Sequence, residues 1–261
     1  MWQDFGEHLK NGTVCIVVEK YYTYNIASSP DVFTRLIQVH QPDILCLQET
    51  RLQESHLDSF QILFPGYRPF WSCSKSLKGY SGTAVFVRQG NLQKNDPRES
   101  HGLDTNHNGV IDMIGGAKLL RGVVVKDDLS ECYFNDEGRV ITVEFDRFYL
   151  VNCYAPNTAM GRPGTLKDRY DTREPKMTSY LNSLRTHKPV ILAGDLNSGY
   201  HPSDVYNYES IIKLKKPRPD QRSFMSTILD NGYFDAFRHF YPGTVRVNES
   251  SSIFCLFILC V

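Results

Sequence analysis

The chain has 261 residues, of which 41% are hydrophobic and 22% are charged. These values are typical of a globular protein with enough apolar side chains for one large domain. The formal net charge is +0, which excludes a global basic field, so a polyanion would have to bind a local patch. Seven cysteines without CxxC or CxxH spacing argue against a disulfide framework and against zinc, and favour a reducing intracellular compartment.

No targeting or membrane segment is predicted at either end of the chain. Residues 1–4 lack the basic region of a secretory signal, and no apolar run follows them. The apolar residues 253–261 are too few to span a bilayer. We predict one domain over 1–261, with an insertion at 96–128 and an apolar tail at 250–261.

The first predicted strand lies within Thr13 to Ile26, a β-branched and aromatic stretch with Asn25 near its end. A helix is predicted to start at residues 29–31, where Ser, Pro and Asp provide a cap, a first-turn proline and a first-turn acid. The same helix is predicted to end before Pro42.

A second buried strand is predicted over residues 43–49, and Glu49 is the first acid after its apolar run. Tyr80 lies in a tight turn between two glycines. It is either an exposed residue that stacks or contacts phosphate, or a packed hairpin aromatic. The other predicted elements here are a helix over 54–64, an extended segment over 67–73 and a strand over 83–88.

Residues 104–112 of the insertion copy the start of a calcium-binding loop. Oxygen-bearing side chains fall at positions one, three, five and nine, and a glycine stands at position six. Position twelve is Gly115, where a bidentate glutamate is needed, and no helical pattern leads into Asp104. We therefore predict a polar surface insertion that does not bind Ca²⁺ at physiological concentrations. Micromolar binding in a calorimetric titration would overturn this.

A hairpin is predicted from two alternating strands, 139–145 and 148–153. Its second strand leads into Tyr154 and Asn157, and a helix follows near Pro175. That helix carries one apolar stripe, formed by Met177, Tyr180, Leu181 and Leu184.

Residues 190–197 are an apolar run that ends in Gly-Asp-Leu-Asn. They predict a buried strand that presents Asp195 and Asn197 on one side, with Leu196 beneath, because side chains alternate along an extended backbone. A carboxylate and an amide fixed together suit a metal or phosphate site, although the same residues also form ordinary turns. Glu49 and Asp195 could converge on one cation; the alternative is a pair of solvated strand ends.

The last part of the chain combines a short helix with a polar motif and an apolar end. Residues 224–229 are predicted to be helical, and residues 235–243 place an acid, Arg238 and a histidine close together. The tail is a continuous apolar run that could either cover part of an apolar face or promote aggregation. We predict aggregation, because the run lacks the alternation of a half-exposed strand.

The polar strand ends, taken together, resemble the exonuclease III-type AP endonucleases of the endonuclease/exonuclease/phosphatase superfamily. LQET and GDLN mark the superfamily, and GYSG, YAPN and DAFRHFYP narrow the resemblance to the AP endonuclease branch. The motifs that carry it are PDILCLQET at 42–50, GYSG at 79–82, GRVITVEF at 138–145, NCYAPN at 152–157, GDLN at 194–197 and DAFRHFYPG at 235–243.

The resemblance implies a four-layer α/β sandwich in which two mixed β-sheets lie face to face with helices outside. It implies Mg²⁺-dependent hydrolysis of DNA phosphodiesters, with Mn²⁺ as a substitute. The expected substrate is double-stranded DNA with abasic sites, cut on their 5′ side, or with blocked 3′ ends. A monomer without membrane association is expected, located in the nucleus or alternatively in the mitochondrion.

The resemblance also implies roles for single residues. Glu49 is the principal metal ligand, assisted by Asn25, and Asp195 and Asn197 border the metal. Asp195 also orients or deprotonates the attacking water. The catalytic set implied by the motifs is Tyr154, Asn157, Asp195 and Asn197. The candidates for DNA contacts are Tyr80, Arg162, Lys167, Arg169, Arg173 and Arg238; for the basic residues after Asn157 the alternative is a solvated charged face.

The sequence departs from the family pattern at two places. Tyr24 stands before Asn25, where a tryptophan is expected, and no S-D-H motif follows residue 243. That motif would supply an aspartate beside the metal and a phosphate-binding histidine, and His239 belongs to a different motif. In the family pattern, the missing segment also supplies strands of the sandwich. We therefore expect little activity, low stability and neighbouring strands left with unpaired edges. The alternatives are an inactive truncated variant, or another superfamily phosphoesterase acting on RNA, phosphoinositide or sphingolipid.

Overall fold

Two β-sheets lie face to face in the computed structural model of the chain. The first sheet has the strand order β1-β2-β4-β3 and the second has the order β5-β6-β7-β8-β10-β9. The structure describes residues 16–20, 36–61, 64–89, 118–120, 136–145, 148–156, 168–198, 200–201, 223–240, 242 and 255–260.

The first sheet is mixed. Its strands are β1 (Ile16–Lys20), β2 (Ile44–Gln48), β3 (Tyr67–Ser72) and β4 (Thr83–Arg88). Strand β1 pairs with β2 in parallel, and β4 pairs antiparallel with both β2 and β3. Strand β2 is buried along its whole length, because it lies between two neighbours and is covered on both faces.

The second sheet is also mixed. Its strands are β5 (Lys118–Leu120), β6 (Val140–Glu144), β7 (Tyr149–Tyr154), β8 (Val190–Asp195), β9 (Phe234–Asp235) and β10 (Cys255–Cys260). Strands β6 and β7 form the predicted hairpin, which the Phe145 N–H closes by donating to the Phe148 carbonyl at 2.9 Å. Strands β7 and β8 are parallel, so Tyr154 and Asp195 reach the same end of the sheet in register.

Residues 255–260 of the tail lie inside the second sheet. Strand β10 pairs antiparallel with β8 from Cys255, opposite Asp195, to Cys260, opposite Val190. It also pairs with β9. The expectation of an unpaired neighbouring edge is therefore wrong for β8. Strand pairing uses main-chain N–H and carbonyl groups, so an unrelated apolar segment in an extended conformation can form it. Residues 118–120 of the insertion likewise form a strand, β5, against β6.

Helices cover the outer faces of both sheets. Apolar residues of β2 and β4 pack against Phe64 and the helical residues 36–40, and those of β7 and β8 pack against two longer helices. A third apolar cluster lies between the sheets, so the predicted four-layer sandwich is confirmed. The helices are α1 (Leu57–Gln61, after a 3₁₀ turn over Glu54–His56), α2 (Glu174–Arg185, after a π-helical segment over Arg169–Arg173), α3 (Ser223–Asp230) and α4 (Ala236–Phe240).

The apolar stripe predicted for the helix near Pro175 is confirmed, since its four members are buried against β7 and β8. In the described part of the chain, no helix has the length and apolar character needed to cross a bilayer. The start of the helix predicted at residues 29–31 and the calcium-like loop at 104–112 lie outside the described residues.

Candidate active site

A buried asparagine joins the two sheets at the end where β2 and β7 finish. Strand alternation places Asn152 on the face of β7 that meets the first sheet. The Asn152 Oδ1 accepts a hydrogen bond from Gln48 Nε2 at 2.8 Å. Its Nδ2 donates to the carbonyls of Leu47 at 3.1 Å and Ala84 at 2.9 Å. The C-terminal ends of β2 and β7 are therefore held side by side, together with Glu49 and Tyr154, which stand next to them in the sequence.

Sequence reasoning did not single out Asn152, although it belongs to the NCYAPN motif. A signal was present, because an amide stands at an inward position of an otherwise apolar alternating strand. Asn152 is 0% exposed, and a buried amide needs hydrogen-bond partners for both its oxygen and its nitrogen.

The edge of the first sheet, residues 49–51 with 81–82, is a strained turn that carries Glu49. Glu49, Arg51 and Ser81 all have positive φ angles, of 58°, 54° and 52°. Two main-chain bonds hold them: Thr50 N–H donates to the Gly82 carbonyl at 3.0 Å, and Arg51 N–H donates to the Ser81 carbonyl at 2.7 Å. Positive φ costs of order 1 kcal/mol for a residue with a side chain and is maintained only where the surroundings dictate it.

The Glu49 carboxylate is mostly shielded from solvent. Its side chain is 10% exposed, whereas that of its ion-pair partner Arg51 is 32% exposed. Arg51 Nη2 donates to Glu49 Oε1 at 2.5 Å. Close packing fixes the turn, because a Cβ atom on Gly82 would lie 2.4 Å from Thr50 Oγ1.

The edge of the second sheet, residues 154–156 with 195–197, is a cross-linked turn that carries Asp195. Asp195 Oδ1 accepts a hydrogen bond from Asn197 N–H at 3.0 Å. Asn197 Nδ2 donates to the Ala155 carbonyl at 2.7 Å, and Ala155 N–H donates to the Asp195 carbonyl at 2.8 Å. Both loops are buried, with Asp195 0% and Asn197 2% exposed.

The extended conformation predicted through Asn197 is wrong. Strand β8 ends at Asp195, and Asn197 has a φ angle of 46°. An aspartate that hydrogen-bonds the N–H two residues ahead favours a turn over continued strand. Leu196 is buried beneath the turn as predicted, 1% exposed, in the cluster that α2 and α3 complete.

Arg139 brings the two predicted tyrosines together. Its Nη2 donates to the Tyr80 hydroxyl at 2.7 Å, and its Nη1 donates to the Tyr154 carbonyl at 3.1 Å. The guanidinium carbon lies 5.3 Å from the Tyr80 ring centre and 4.9 Å from the Tyr154 ring centre, which is within the range of cation–π attraction. Glu137 Oε2 accepts from Arg139 Nε at 2.5 Å. Arg139 belongs to the GRVITVEF motif, but the sequence alone indicated no role for it.

Arg169 and Arg173 are not exposed, contrary to both interpretations of the basic residues after Asn157. They are 2% and 8% exposed, and their side chains bond inside the protein. Arg173 Nε donates to Asp168 Oδ2 at 2.7 Å and its Nη2 donates to Glu137 Oε1 at 3.1 Å. Burial alone would lower the pKa of Arg173, but the bonds to these two acids outweigh it and the pKa is raised.

Arg238 lies away from the two turns, on α4 beside β9. Its guanidinium pairs with Asp235 Oδ2, and its N–H donates to Asp235 Oδ1 at 3.1 Å. The side chain is 30% exposed, so one face of it reaches solvent. The remaining predicted site residues lie outside the described residues: Asn25, Asn157, Arg162 and Lys167.

The donor atoms at the two edges suit a hard divalent cation. No group of three His, Cys, Asp or Glu side chains that could hold a metal ion occurs among the described residues. Mg²⁺ does not require such a group, because it keeps several waters and is commonly held by one or two carboxylates. Glu49 supplies a carboxylate from a rigid turn, and its ion-pair partner Arg51 is a partly exposed residue that a cation could displace.

Comparisons with known proteins show which family the chain belongs to. The sequence profile of the Endonuclease/Exonuclease/phosphatase family matches residues 22–247. The DNA-(apurinic or apyrimidinic site) endonuclease of Dictyostelium discoideum is 31% identical over 86% of this chain and 54% of that protein. An exodeoxyribonuclease of Bacillus subtilis is 31% identical over 80% of this chain and 69% of that protein. Across such curated relatives, the chain spans from 26% to 69% of their length.

A solved structure has the same fold. The AP endonuclease LMAP from Leishmania major superposes with a TM-score of 0.68, covering 95% of this chain and 79% of that one at 24% sequence identity.

Proposed function

The chain belongs to the endonuclease/exonuclease/phosphatase family, and on that premise we propose that it is a DNA repair nuclease that hydrolyses phosphodiester bonds. The proposed substrate is double-stranded DNA, cut 5′ to abasic sites or trimmed at blocked 3′ ends. The observation that carries the proposal is the bonding of Asn152 to Gln48 and the Leu47 carbonyl. It ties the strand that leads to Glu49 to β7, whose parallel neighbour β8 ends at Asp195. The names of the Dictyostelium and Bacillus relatives support it.

Nucleases of this family generally use divalent metal ions, and we propose Mg²⁺, with Mn²⁺ as a substitute. Glu49 would hold it, assisted by Asn25, with Asp195 and Asn197 bordering the site. A bound Mg²⁺ supplies Lewis-acid charge relief to the phosphate oxygens. The rigid Glu49 turn contributes a ligand that is already placed, so little ordering is needed on binding.

Asp195 is the proposed group that orients the attacking water and takes its proton. Its Oδ1 accepts a hydrogen bond from Asn197 N–H, which fixes the plane of the carboxylate. Because Asp195 is 0% exposed, bulk water does not compete for that orientation. Positioned general bases of this kind contribute about 10²–10⁴-fold to rate.

Asn197, Asn157 and Tyr154 are the proposed partners of the phosphate group. Asn197 Nδ2 carries two N–H groups: one donates to the Ala155 carbonyl, and the second would donate to a phosphate oxygen. The Tyr154 ring is held under the Arg139 guanidinium, so its hydroxyl has a defined direction. Donors fixed in advance cost no reorganisation when charge develops on the phosphate.

DNA binding is proposed to use local positive charge, since the whole chain is neutral. The proposed contacts are Arg162 and Lys167 in the segment after Asn157, with Tyr80 and the partly exposed Arg238. The enzyme is proposed to act as a monomer on nuclear DNA, with mitochondrial DNA as the alternative.

The direct test is incision of a duplex that contains one tetrahydrofuran abasic analogue. We expect Mg²⁺-dependent cleavage on its 5′ side, lost with EDTA and restored by added Mg²⁺ or Mn²⁺. A parallel panel offers a 3′-phosphate end, single-stranded RNA, a phosphoinositide and sphingomyelin. The proposal fails if no DNA substrate is cut, or if a lipid or RNA is hydrolysed faster than abasic DNA.

A further inference from the structure

Arg169 is almost completely enclosed, and its guanidinium is used for main-chain carbonyls. The residue is 2% exposed. Its Nη1 donates to the carbonyls of Pro156 at 3.0 Å and Asn197 at 3.1 Å, and its Nη2 donates to the carbonyl of Leu196 at 3.0 Å. Nε donates to Glu174 Oε1 at 2.5 Å. One side chain therefore contacts both loops of the second-sheet edge.

The three carbonyls need such a partner because they lie just beyond the last paired residues. The parallel ladder between β7 and β8 ends at Tyr154 and Asp195, so the carbonyls of Pro156, Leu196 and Asn197 have left it. A buried carbonyl without a donor costs about 1–3 kcal/mol. A guanidinium offers five N–H groups in a rigid plane and can serve several carbonyls at once, whereas an ammonium is a point charge with three donors.

The local helix geometry explains why Arg169 can also reach Glu174. Glu174 N–H donates to the Arg169 carbonyl, five residues back, which is the bond of a π-helical turn. That turn brings positions 169 and 174 to the same face of the helix. In an α-helix, two residues five positions apart would lie on different faces. The two side chains are 2% and 11% exposed, so the carboxylate neutralises a positive charge that would otherwise be buried alone.

We propose that Arg169 is a positioning residue that fixes the Asp195–Asn197 turn against the loop leading to Asn157, and that it does not bind DNA. It acts through the main chain, by holding Pro156, Leu196 and Asn197 at one planar group. This inference deepens the proposed function and rests on it. Arg173 provides the matched comparison: it is also buried and lies on the same segment, but it donates to the side chains of Asp168 and Glu137.

The test compares Arg169→Lys with Arg173→Lys, both in the full chain. Hydrogen exchange is followed by mass spectrometry at residues 153–156 and 194–198, where Ala155 N–H and Asn197 N–H are hydrogen-bonded. We expect Arg169→Lys to accelerate exchange at both loops by about 10-fold, because at least two charge-assisted bonds are lost. Arg173→Lys should leave exchange at both loops within about 1.5-fold of wild type, since it keeps the charge near its acids.

Kinetics on the abasic duplex separate positioning from binding. For Arg169→Lys, kcat should fall at least about 10-fold with KM within about 3-fold, because a displaced catalytic group affects the transition state more than substrate binding. If Arg169→Lys does not fold, Glu174→Gln replaces it. That variant keeps the three carbonyl bonds but loosens the Nε anchor, and should give the same pattern at about 3-fold.

DNA affinity in EDTA decides between positioning and phosphate contact. A lysine or arginine that binds one phosphate contributes about 0.9 to the slope of log K against log salt. Arg169→Gln should leave that slope unchanged, and a decrease of about 0.9 would assign Arg169 to the DNA and overturn the inference. Loop exchange equal to that of Arg173→Lys, or an unaltered kcat in an active enzyme, would also overturn it. If the wild-type chain cuts no DNA, the proposed function fails while the exchange result still decides whether Arg169 holds the loops.

Discussion

The two strand-end turns of the site are built in different ways. The first-sheet edge presents Glu49 from a turn with three positive φ angles and two main-chain bonds, and the partner of its carboxylate, Arg51, is 32% exposed. The second-sheet edge presents Asp195 from a buried turn that Asn197, Ala155 and Arg169 cross-link.

This difference matches the tasks proposed for the two carboxylates. A metal ligand has to release its side-chain partner when a cation arrives, so a partly exposed partner such as Arg51 is suitable. A group that orients water must keep one direction, so burial and cross-links are suitable. Both turns are rigid, but the partner of Glu49 is a partly exposed side chain, whereas the partner of Asp195 is a buried main-chain N–H.

Replacing the buried carboxylate should have the largest effect. Asp195→Asn keeps an Oδ1 that accepts from Asn197 N–H, so the free energy of unfolding should change little. Since the amide cannot take a proton from water, kcat should fall by about 10³-fold. Single-turnover incision with saturating Mg²⁺ measures this. A variant within 10-fold of wild type, while equally stable, would remove Asp195 from the proposed chemistry.

Breaking the junction between the two edges should come next. Asn152→Leu deprives Gln48 Nε2 and the carbonyls of Leu47 and Ala84 of a partner in a buried site. We expect the free energy of unfolding in urea to fall by about 3 kcal/mol, because orphaned buried groups cost about 1–3 kcal/mol each.

The control for the junction is Asn182→Leu. Asn182 also bonds a side-chain amide, since its Nδ2 donates to Asn231 Oδ1 at 2.9 Å. It is only half-buried, so less than about 1 kcal/mol should be lost. Equal losses in the two variants would contradict the special role of Asn152 in joining the sheets.

Changing the accessible carboxylate should affect the cation more than the fold. Glu49→Gln should weaken Mg²⁺ binding, measured by calorimetry, and incision together, by at least about 10-fold, since even an outer-shell partner is worth about 10–100-fold in metal affinity. Arg51→Gln should act in the opposite direction and tighten Mg²⁺ by about 2–5-fold, because an exposed ion pair is worth about 0.2–1 kcal/mol. An unchanged Mg²⁺ dependence in Glu49→Gln would contradict the metal assignment.

The smallest expected effect concerns the apolar layer beneath the second-sheet edge. Burial raises the pKa of Cys153 to about 12, partly offset by Arg139 and Arg169, and burial raises the pKa of Tyr180 to about 12, partly offset by its bond to Thr142. In the unfolded chain these groups ionise near pH 9 and 10. Above pH 9 the folded state therefore holds more protons than the unfolded state. The contribution of these two groups to stability is fully present below pH 9 and is lost as the pH rises towards 12.

We expect the free energy of unfolding, measured in urea, to fall by about 1 kcal/mol between pH 8 and pH 10. Cys153→Ala should show a shallower fall over the same range. A wild-type protein with constant stability up to pH 10 would show that these groups are accessible to hydroxide in the folded state.

Local sequence patterns predicted most elements of the fold. The ends of β2, β4 and β8 and the apolar stripe of α2 agree with the predictions to within about one or two residues. These elements follow from periodicity and from breakers such as Pro42 and Pro189, which act over a few neighbouring residues. The tail was misjudged, because an unbroken apolar run does not reveal which strands it will lie between.

The sequence by itself determined which residues stand at strand ends: Glu49, Tyr154, Asp195 and Asn197. Only the tertiary structure decided what the charged residues around them do. Arg169 was predicted to meet solvent or DNA, yet it serves three carbonyls, and Asn152 and Arg139 proved to connect segments up to 105 residues apart. The physical reason is that a polar side chain satisfies its hydrogen bonds with whichever group the fold brings near, and that group is not its neighbour in the sequence.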